Sequence, residues 1–397
     1  MKKHTPKTVL RYAGGKSRAI KKITPFVEPY SEIVSPFLGG GSLEVHWASK
    51  GKKVIASDVF DILANFWNSL LSDPDTLADE LQKISPDKET YKEIKEALIC
   101  TPEVQNMLKD WKTDFYKYRT FDKLDDKGNP IIGDNEKPEK IKELRTIKAI
   151  DDVKLAAYYY FNHNCSYGPG FLGWASSIYM DQKKWNNAIK RIRAFHAPNV
   201  EVHNESFETF MPKYKEKFMY LDPPYYLDKD KDNKMLGGIY PMKNIPVHHD
   251  KFDHEKLRDL LLAHEGDFVL SYNNCETIRE WYKEFELFYP EWYYSMDVGE
   301  TRVGKNRKGR VNDEDLKEVD RLTKQIESLE IQLKELEEHL ETLQEKLDTD
   351  VKEPEKHRLL APHMAKIFEL RQPIADLKTQ RHEIMKKESH EILIVKR

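Results

Sequence analysis

Two hydrophobic regimes alternate along the chain. In the first, short apolar runs of strand length end in polar residues and are followed by helical periodicity. Glu32–Phe37 is such a run, followed by the turn Leu38-Gly39-Gly40-Gly41-Ser42 and a helical pattern over Leu43–Lys50. Lys53–Asp58 is the next run, ending in an acid, and Phe60–Leu71 carries apolar residues at helical spacing until Asp73-Pro74 stops it. The regime returns with Lys217–Leu221, a helix over Asp253–His264, the buried run Gly266–Asn274, a helix over Thr277–Phe285 and a candidate strand over Glu291–Met296. Glu391–Val395 is a last β-type run. The second regime is a heptad seam: Leu322, Ile326, Leu329, Leu333, Leu336, Leu340, Leu343 and Leu347 are spaced alternately by 4 and 3 residues, which predicts a coiled coil. Asp348–Pro354 interrupts it, and a weaker seam follows at Met364, Ile367, Leu370, Ile374, Leu377 and Ile384.

Strand, glycine turn and helix in succession predict the first unit of an α/β, Rossmann-like fold. The organisation read from the pattern is an α/β body over 1–74 and 206–312, a mainly helical region over 75–205, a helical insertion over 313–389 and a last strand of the body over 390–397. Within 75–205, helical stretches at Asp87–Ile99 and Val104–Trp111 alternate with polar loops. Residues 122–140 read as an exposed excursion rich in charge, Gly and Pro. Residues 227–248 form a long polar segment suited to a lid.

Composition narrows the class. The chain has 397 residues, 34% charged and 39% hydrophobic. No apolar run reaches the ~18 residues of a membrane helix. No apolar signal core follows the basic start, so a cytoplasmic protein is expected. Cys100, Cys165 and Cys275 are too far apart for a disulfide framework or a zinc site. The net charge of −3 hides an asymmetry: residues 313–390 hold 20 acidic and 14 basic side chains, and the remainder holds 48 and 51. An acidic appendage therefore accompanies a mildly basic body.

Candidate chemistry concentrates at Asp222-Pro223-Pro224-Tyr225, where an apolar run ends. The prolines stop ladder hydrogen bonding, leaving a carboxylate, a free carbonyl and an aromatic ring at a strand end, the edge where open α/β sheets bind ligands. Two acceptors can hold both hydrogens of an exocyclic amine, and the ring can stack on the base that carries it. Asp58 follows Gly41 by 17 residues, near the spacing that sets a carboxylate on ribose hydroxyls. The third glycine of a dinucleotide fingerprint would fall at Glu44, which argues against NAD. Leu10 stands where a Walker A loop needs glycine. Asn162, Asn164, Ser166 and Tyr167 lie where an aromatic-rich helix enters a glycine loop, and such polar groups suit base edges or phosphates. Arg302, Lys305, Arg307, Lys308 and Arg310 form a basic loop suited to phosphates.

Five stretches resemble the Dam-like, class alpha, DNA adenine-N6 methyltransferases, and they occur in that family's order. They are Arg11–Arg18, Pro36–Ser42, Ser57-Asp58 with the following helix, Asp222–Tyr225 and Phe268–Asn273. The resemblance implies a methyltransferase sheet with a target-recognition domain over 75–205. It also implies S-adenosyl-L-methionine (AdoMet) as methyl donor, no metal, and a flipped adenine in double-stranded DNA as acceptor. By position, Tyr12, Ala13, Gly14, Gly15 and Lys16 would enclose AdoMet, with Pro36, Phe37, Gly39, Gly40, Gly41 and Ser42 beneath it. Asp58 would take the ribose, and Asp222 would stand between cofactor and base, with no need of a shifted pKa. The competing readings are a cytosine-N4 methyltransferase, an RNA adenine methyltransferase, and a DNA-binding or assembly protein of a restriction or phage-defence system. The coiled coil is expected to fold back on itself and to meet a second copy or a partner protein.

Overall fold

The computed structural model describes residues 8–12, 14–107, 117–133, 137–167, 170–226, 252–290, 313–347, 353–388 and 391–397. Ala13, the 227–248 segment, Glu291–Met296 and the basic loop with Arg302, Lys305, Arg307, Lys308 and Arg310 lie outside them. So do 348–352, most of the expected break in the heptads.

The first elements are α1 (Ile20–Val27), β1 (Glu32–Ser35), α2 (Ser42–Ser49), β2 (Lys53–Ser57) and α3 (Asp61–Ser72). A 3-10 turn at Lys16–Arg18 precedes α1, and no side chain caps α1. Next come α4 (Pro74–Gln82), α5 (Lys88–Ile99), α6 (Pro102–Met107), β3 (Tyr118–Asp122), β4 (Lys140–Leu144), α7 (Asp152–Asn164), α8 (Gln182–Arg193), β5 (Val200–His203) and α9 (Phe207–Phe210). The chain continues with β6 (Met219–Leu221), α10 (His254–Leu262), β7 (Phe268–Asn273), α11 (Glu276–Trp281), β8 (Glu286–Phe288), α12 (Asp313–Leu347), α13 (Glu353–Glu388) and β9 (Glu391–Lys396).

Strand order in the main sheet is β5-β2-β1-β6-β7-β9-β8. β1 pairs parallel with β2 and β6, β2 with β5, and β6 with β7. Parallel strands covered on both faces are apolar throughout, and β7 is buried at all six positions. The order reverses beside β1, whose neighbours are β2 and β6, so the turns after β1 and β6 open at the same edge.

The chain divides into two compact units, Met1–Ser271 with Val395–Arg397, and Tyr272–Ile394. In the first, α4 and α5 start on aspartate caps: Asp73 accepts the Thr76 N–H at 3.0 Å and Asp87 the Thr90 N–H at 2.8 Å. Both pack on α7, which also packs on α3. Their shared core is aromatic. Phe66 stacks on Tyr160 with centroids 5.4 Å apart, and Phe161 meets Trp185 edge-on at 5.1 Å. The excursion expected over 122–140 is exposed where it is described, and it joins the strands of a two-stranded antiparallel hairpin, β3 and β4, with Phe121 opposite Ile141. Its charge-rich, mostly exposed strands carry no alternation that a sequence reading could use.

In the second unit, α12 and α13 run antiparallel. Lys378 pairs with Glu330 at 2.7 Å and Arg371 with Glu337 at 3.0 Å. Leu322 and Ile326 are buried, as are Ile367 and Ile374 on the facing helix. Met364, expected in the seam, is 53% exposed, and Leu360 and His363 hold the register instead. His363 lies against His339, with centroids 5.2 Å apart. The two helices stand between β8 and β9, which are neighbours in the sheet. β8 begins just beyond the Thr277–Phe285 stretch read as helix; α11 ends at Trp281.

Candidate active site

The turn after β1 is shaped by what lies against it. Gly39 and Gly41 have φ of 47° and 60°, left-handed values that favour glycine. A Cβ at Gly40 would stand 2.5 Å from Tyr12 Cβ, and one at Gly41 would stand 2.6 Å from the Trp67 ring. Trp67 Nε1 donates to the Gly39 carbonyl at 3.0 Å. Asp58, just past β2, accepts the Gly39 N–H through Oδ2 at 2.9 Å and the Phe60 N–H through Oδ1 at 3.0 Å. The glycine turn, Tyr12 and Asp58 are thus one assembly. Ser42 is buried at the start of α2.

β6 ends at Leu221, and Asp222-Pro223-Pro224-Tyr225 leaves the sheet there. The Lys16 ammonium reaches it. Lys16 Nζ donates to Asp222 Oδ1 at 2.7 Å, to the Tyr225 hydroxyl at 3.1 Å and to the Gly14 carbonyl at 3.4 Å. It also lies 5.1 Å from the centre of the Tyr225 ring. The Lys16 side chain is 3% exposed and the Asp222 side chain 21%, so the carboxylate faces an opening while its counter-charge is enclosed. Burial raises the Asp222 pKa and Lys16 opposes that rise. A shift is therefore present at Asp222 where none was needed, and Lys16 meets the acid more directly than expected of a residue that encloses AdoMet.

A third carboxyl lies behind this pair. Glu44, in the first turn of α2, is buried and accepts from the Ser35 hydroxyl at 2.8 Å. Burial pushes its pKa up to about 7. The sequence reading used Glu44 only as a broken glycine pattern. It also missed a ring cluster beside the turn. Phe37 lies 5.6 Å from Phe207 and 5.7 Å from Phe252, and Phe252 lies 4.8 Å from His254, whose ring meets Tyr226 at 5.2 Å. Ser206 caps α9 by accepting the Glu208 N–H, which places Phe207. A serine before a short aromatic helix was the only local signal for this wall.

The polar residues at the end of α7 point inward. Asn162, His163, Asn164 and Ser166 are 0%, 4%, 8% and 0% exposed. Asn164 Oδ1 accepts the Arg11 N–H at 3.2 Å, and the Arg11 guanidinium donates to the Asn164 carbonyl at 2.7 Å. His163 Nε2 donates to the Arg11 carbonyl at 2.6 Å and its ring stacks on Tyr12 at 5.6 Å. These side chains pin the Arg11–Lys16 segment. Asn162, Asn164 and Ser166 are buried inside the protein, so the expectation that they meet DNA is corrected. Tyr167 alone of the four faces solvent, at 73% exposure.

The donor set fits an adenosine-bearing cofactor: a glycine turn, a carboxylate beside it that can accept from hydroxyls, and aromatic rings for a base. Among the described residues, no group of three or more His, Cys, Asp or Glu is placed to hold a metal. No described helix is long and apolar enough to cross a membrane. The family model for D12 class N6 adenine-specific DNA methyltransferases matches residues 12–296. No curated protein matches the chain.

Proposed function

Because the chain belongs to the D12 class of N6 adenine-specific DNA methyltransferases, and so methylates adenine N6 in DNA with AdoMet as donor, we propose that Asp222, Pro223, Tyr225 and Lys16 are the groups that perform the transfer. The contact of Lys16 with both Asp222 and Tyr225 carries this reading, because it gathers the first and fourth motifs at the end of β6.

Bound AdoMet supplies an electrophilic methyl group. The chain's task is to make adenine N6 a nucleophile. That nitrogen's lone pair is delocalised into the ring, so the amine is planar. Asp222 and the Pro223 carbonyl accept its two hydrogens, favour a tetrahedral nitrogen and aim the lone pair at the methyl. Asp222 already accepts from Lys16, and a carboxylate has lone pairs for further donors. Lys16 keeps it charged against burial. Tyr225 stacks on the flipped base and offsets part of the unstacking cost. The amine's proton becomes acidic only after the methyl arrives, so no strong base is required.

Asp58 holds the ribose, and Phe37 with Phe207 flanks the adenine of the cofactor. Tyr12, Ala13, Gly14 and Gly15 close the cofactor site from above, over Pro36, Gly39, Gly40, Gly41 and Ser42. Pro224 keeps the strand end free of ladder bonding. Arg302, Lys305, Arg307, Lys308 and Arg310 contact DNA phosphates, and α12 with α13 is a coiled-coil element for a second copy or a partner protein. The test is transfer of a tritiated methyl group from AdoMet into defined DNA, followed by nucleoside analysis. N6-methyladenine that disappears on Asp222→Ala is expected. Label in N4-methylcytosine, or transfer to RNA alone, would overturn the reading.

A further inference from the structure

The hairpin of α12 and α13 buries one seam and leaves a second apolar strip in the open. Ala361, Met364, Ala365 and Phe368 follow one another on α13 at helical spacing and share a helix face. That face is not the seam, which Leu360, Ile367 and Ile374 fill. All four are exposed, Met364 at 53% and Phe368 at 77%. In a hairpin that stands alone, such positions face water and carry polar side chains. A phenyl ring and a thioether side by side there call for a cover.

The charge around the strip points to the cover. The bridges Lys378–Glu330 and Arg371–Glu337 mark one side of the hairpin. On that side α13 carries the apolar strip with Arg358, Arg371 and Lys378. Its acids in the same stretch, Glu369 and Asp376, fall on another helix face. On the same side of the hairpin α12 carries Ile331, 59% exposed, among the exposed Glu327, Glu338, Glu341 and Glu345. Over their whole lengths α12 holds 12 acidic and 5 basic residues, and α13 holds 6 and 8. The face is thus acidic along one helix and basic along the other. It complements itself when a copy is turned about the long axis of the hairpin. Helices of 35 and 36 residues are about 50 Å long, so two side by side offer a face of about 1,000 Å². A stable interface takes about 800 Å² per partner.

We propose that this face seats a second copy of the chain in a four-helix bundle, with α13 of each copy on α12 of the other and Phe368 in the contact. The proposal rests on the reading of α12 and α13 as an assembly element. Two-fold symmetry makes each contact twice, so a change at Phe368 counts twice in the dimer.

The test measures the dimer dissociation constant of the full chain by light scattering over a dilution series. Wild type should dimerise, and more weakly as salt rises. Phe368→Glu removes two rings from the contact and sets carboxylates against acidic helices, so the constant should rise at least about 100-fold. Phe368→Lys loses the same rings but meets those helices with the opposite charge. It should dimerise about 10-fold or more tightly than Phe368→Glu. Circular dichroism of both variants should match wild type, because Phe368 is exposed in the single chain. Equal constants for the two variants, or constants equal to wild type, overturn the proposed face. A monomeric wild type overturns the second copy as its occupant. A wild-type dimer that survives replacement of 313–389 by a Gly/Ser linker overturns the reading of the hairpin as an assembly element.

Discussion

Lys16 and Asp222, 206 residues apart, form an ion pair of 2.7 Å in which the cation is enclosed and the anion faces the opening. Activity needs Asp222 ionised, so it falls as pH drops through the Asp222 pKa. Burial holds that pKa above the ordinary carboxylate value and Lys16 pulls it down. Replacing Lys16 by Met removes the downward pull, so the acid limb of kcat should move to higher pH. A pH–rate profile reads this directly. An unmoved limb would mean that Lys16 does not set the charge of Asp222.

Asp222→Ala should abolish most methylation and leave the fold intact. Losing one preorganised electrostatic partner costs on the order of 10²–10³ in rate. Circular dichroism should match wild type, since a fifth of the side chain is already open (21% exposed). Near wild-type turnover would sink the proposed mechanism.

Tyr225 and Asp58 should separate base capture from cofactor binding. Tyr225→Ala removes a stack worth roughly 1–3 kcal/mol and should weaken DNA binding while AdoMet affinity by calorimetry changes little. Asp58→Ala should do the reverse. It should also lower the melting temperature, because Asp58 bonds the Gly39 and Phe60 N–H groups. Loss of AdoMet affinity in Tyr225→Ala with normal DNA binding would refute the assignment.

His163 should make the protein acid-sensitive. Burial drives its pKa from 6.5 down to about 4. The unfolded chain therefore takes up a proton first, and stability is lost as pH falls from about 6.5 towards 4. The loss is on the order of 3 kcal/mol for a group so fully buried. Urea midpoints at pH 7 and pH 4.5 should diverge more for wild type than for His163→Gln. Equal divergence would assign the acid sensitivity to other groups, of which His254, also lowered to about 4, is the first to test.

Replacing 313–389 with a short Gly/Ser linker should leave methylation by the isolated protein in place and remove any oligomer seen by light scattering. The insertion lies in the chain between β8 and β9, which are sheet neighbours, and antiparallel helices return the chain to its start. A folded deletion variant with no activity would show that the insertion helps to build the site or grip DNA.

The sequence alone determined the elements whose signal is local. The glycine turn after β1, the acid ending β2, the proline-stopped strand end at Asp222 and the runs that became β7 and β9 are each set by neighbours a few residues away. The Leu322–Leu347 seam is likewise a repeat that one helix face must bury. Tertiary structure decided where polar side chains point. Asn162, Asn164 and Ser166 look like surface chemistry in a one-dimensional reading, because nothing nearby says that Arg11 and the 166–173 loop will bring their partners. The β3–β4 hairpin escaped for a related reason: its strands pair with each other and are mostly exposed, so no apolar alternation was written into them. Met364 left the seam because the register of α13 is set by the facing helix. Lys16 met Asp222 because parallel β1 and β6 deliver the glycine turn and Asp222 to one edge, and Tyr12 packs the Arg11–Lys16 segment on that turn, an approach no local pattern encodes.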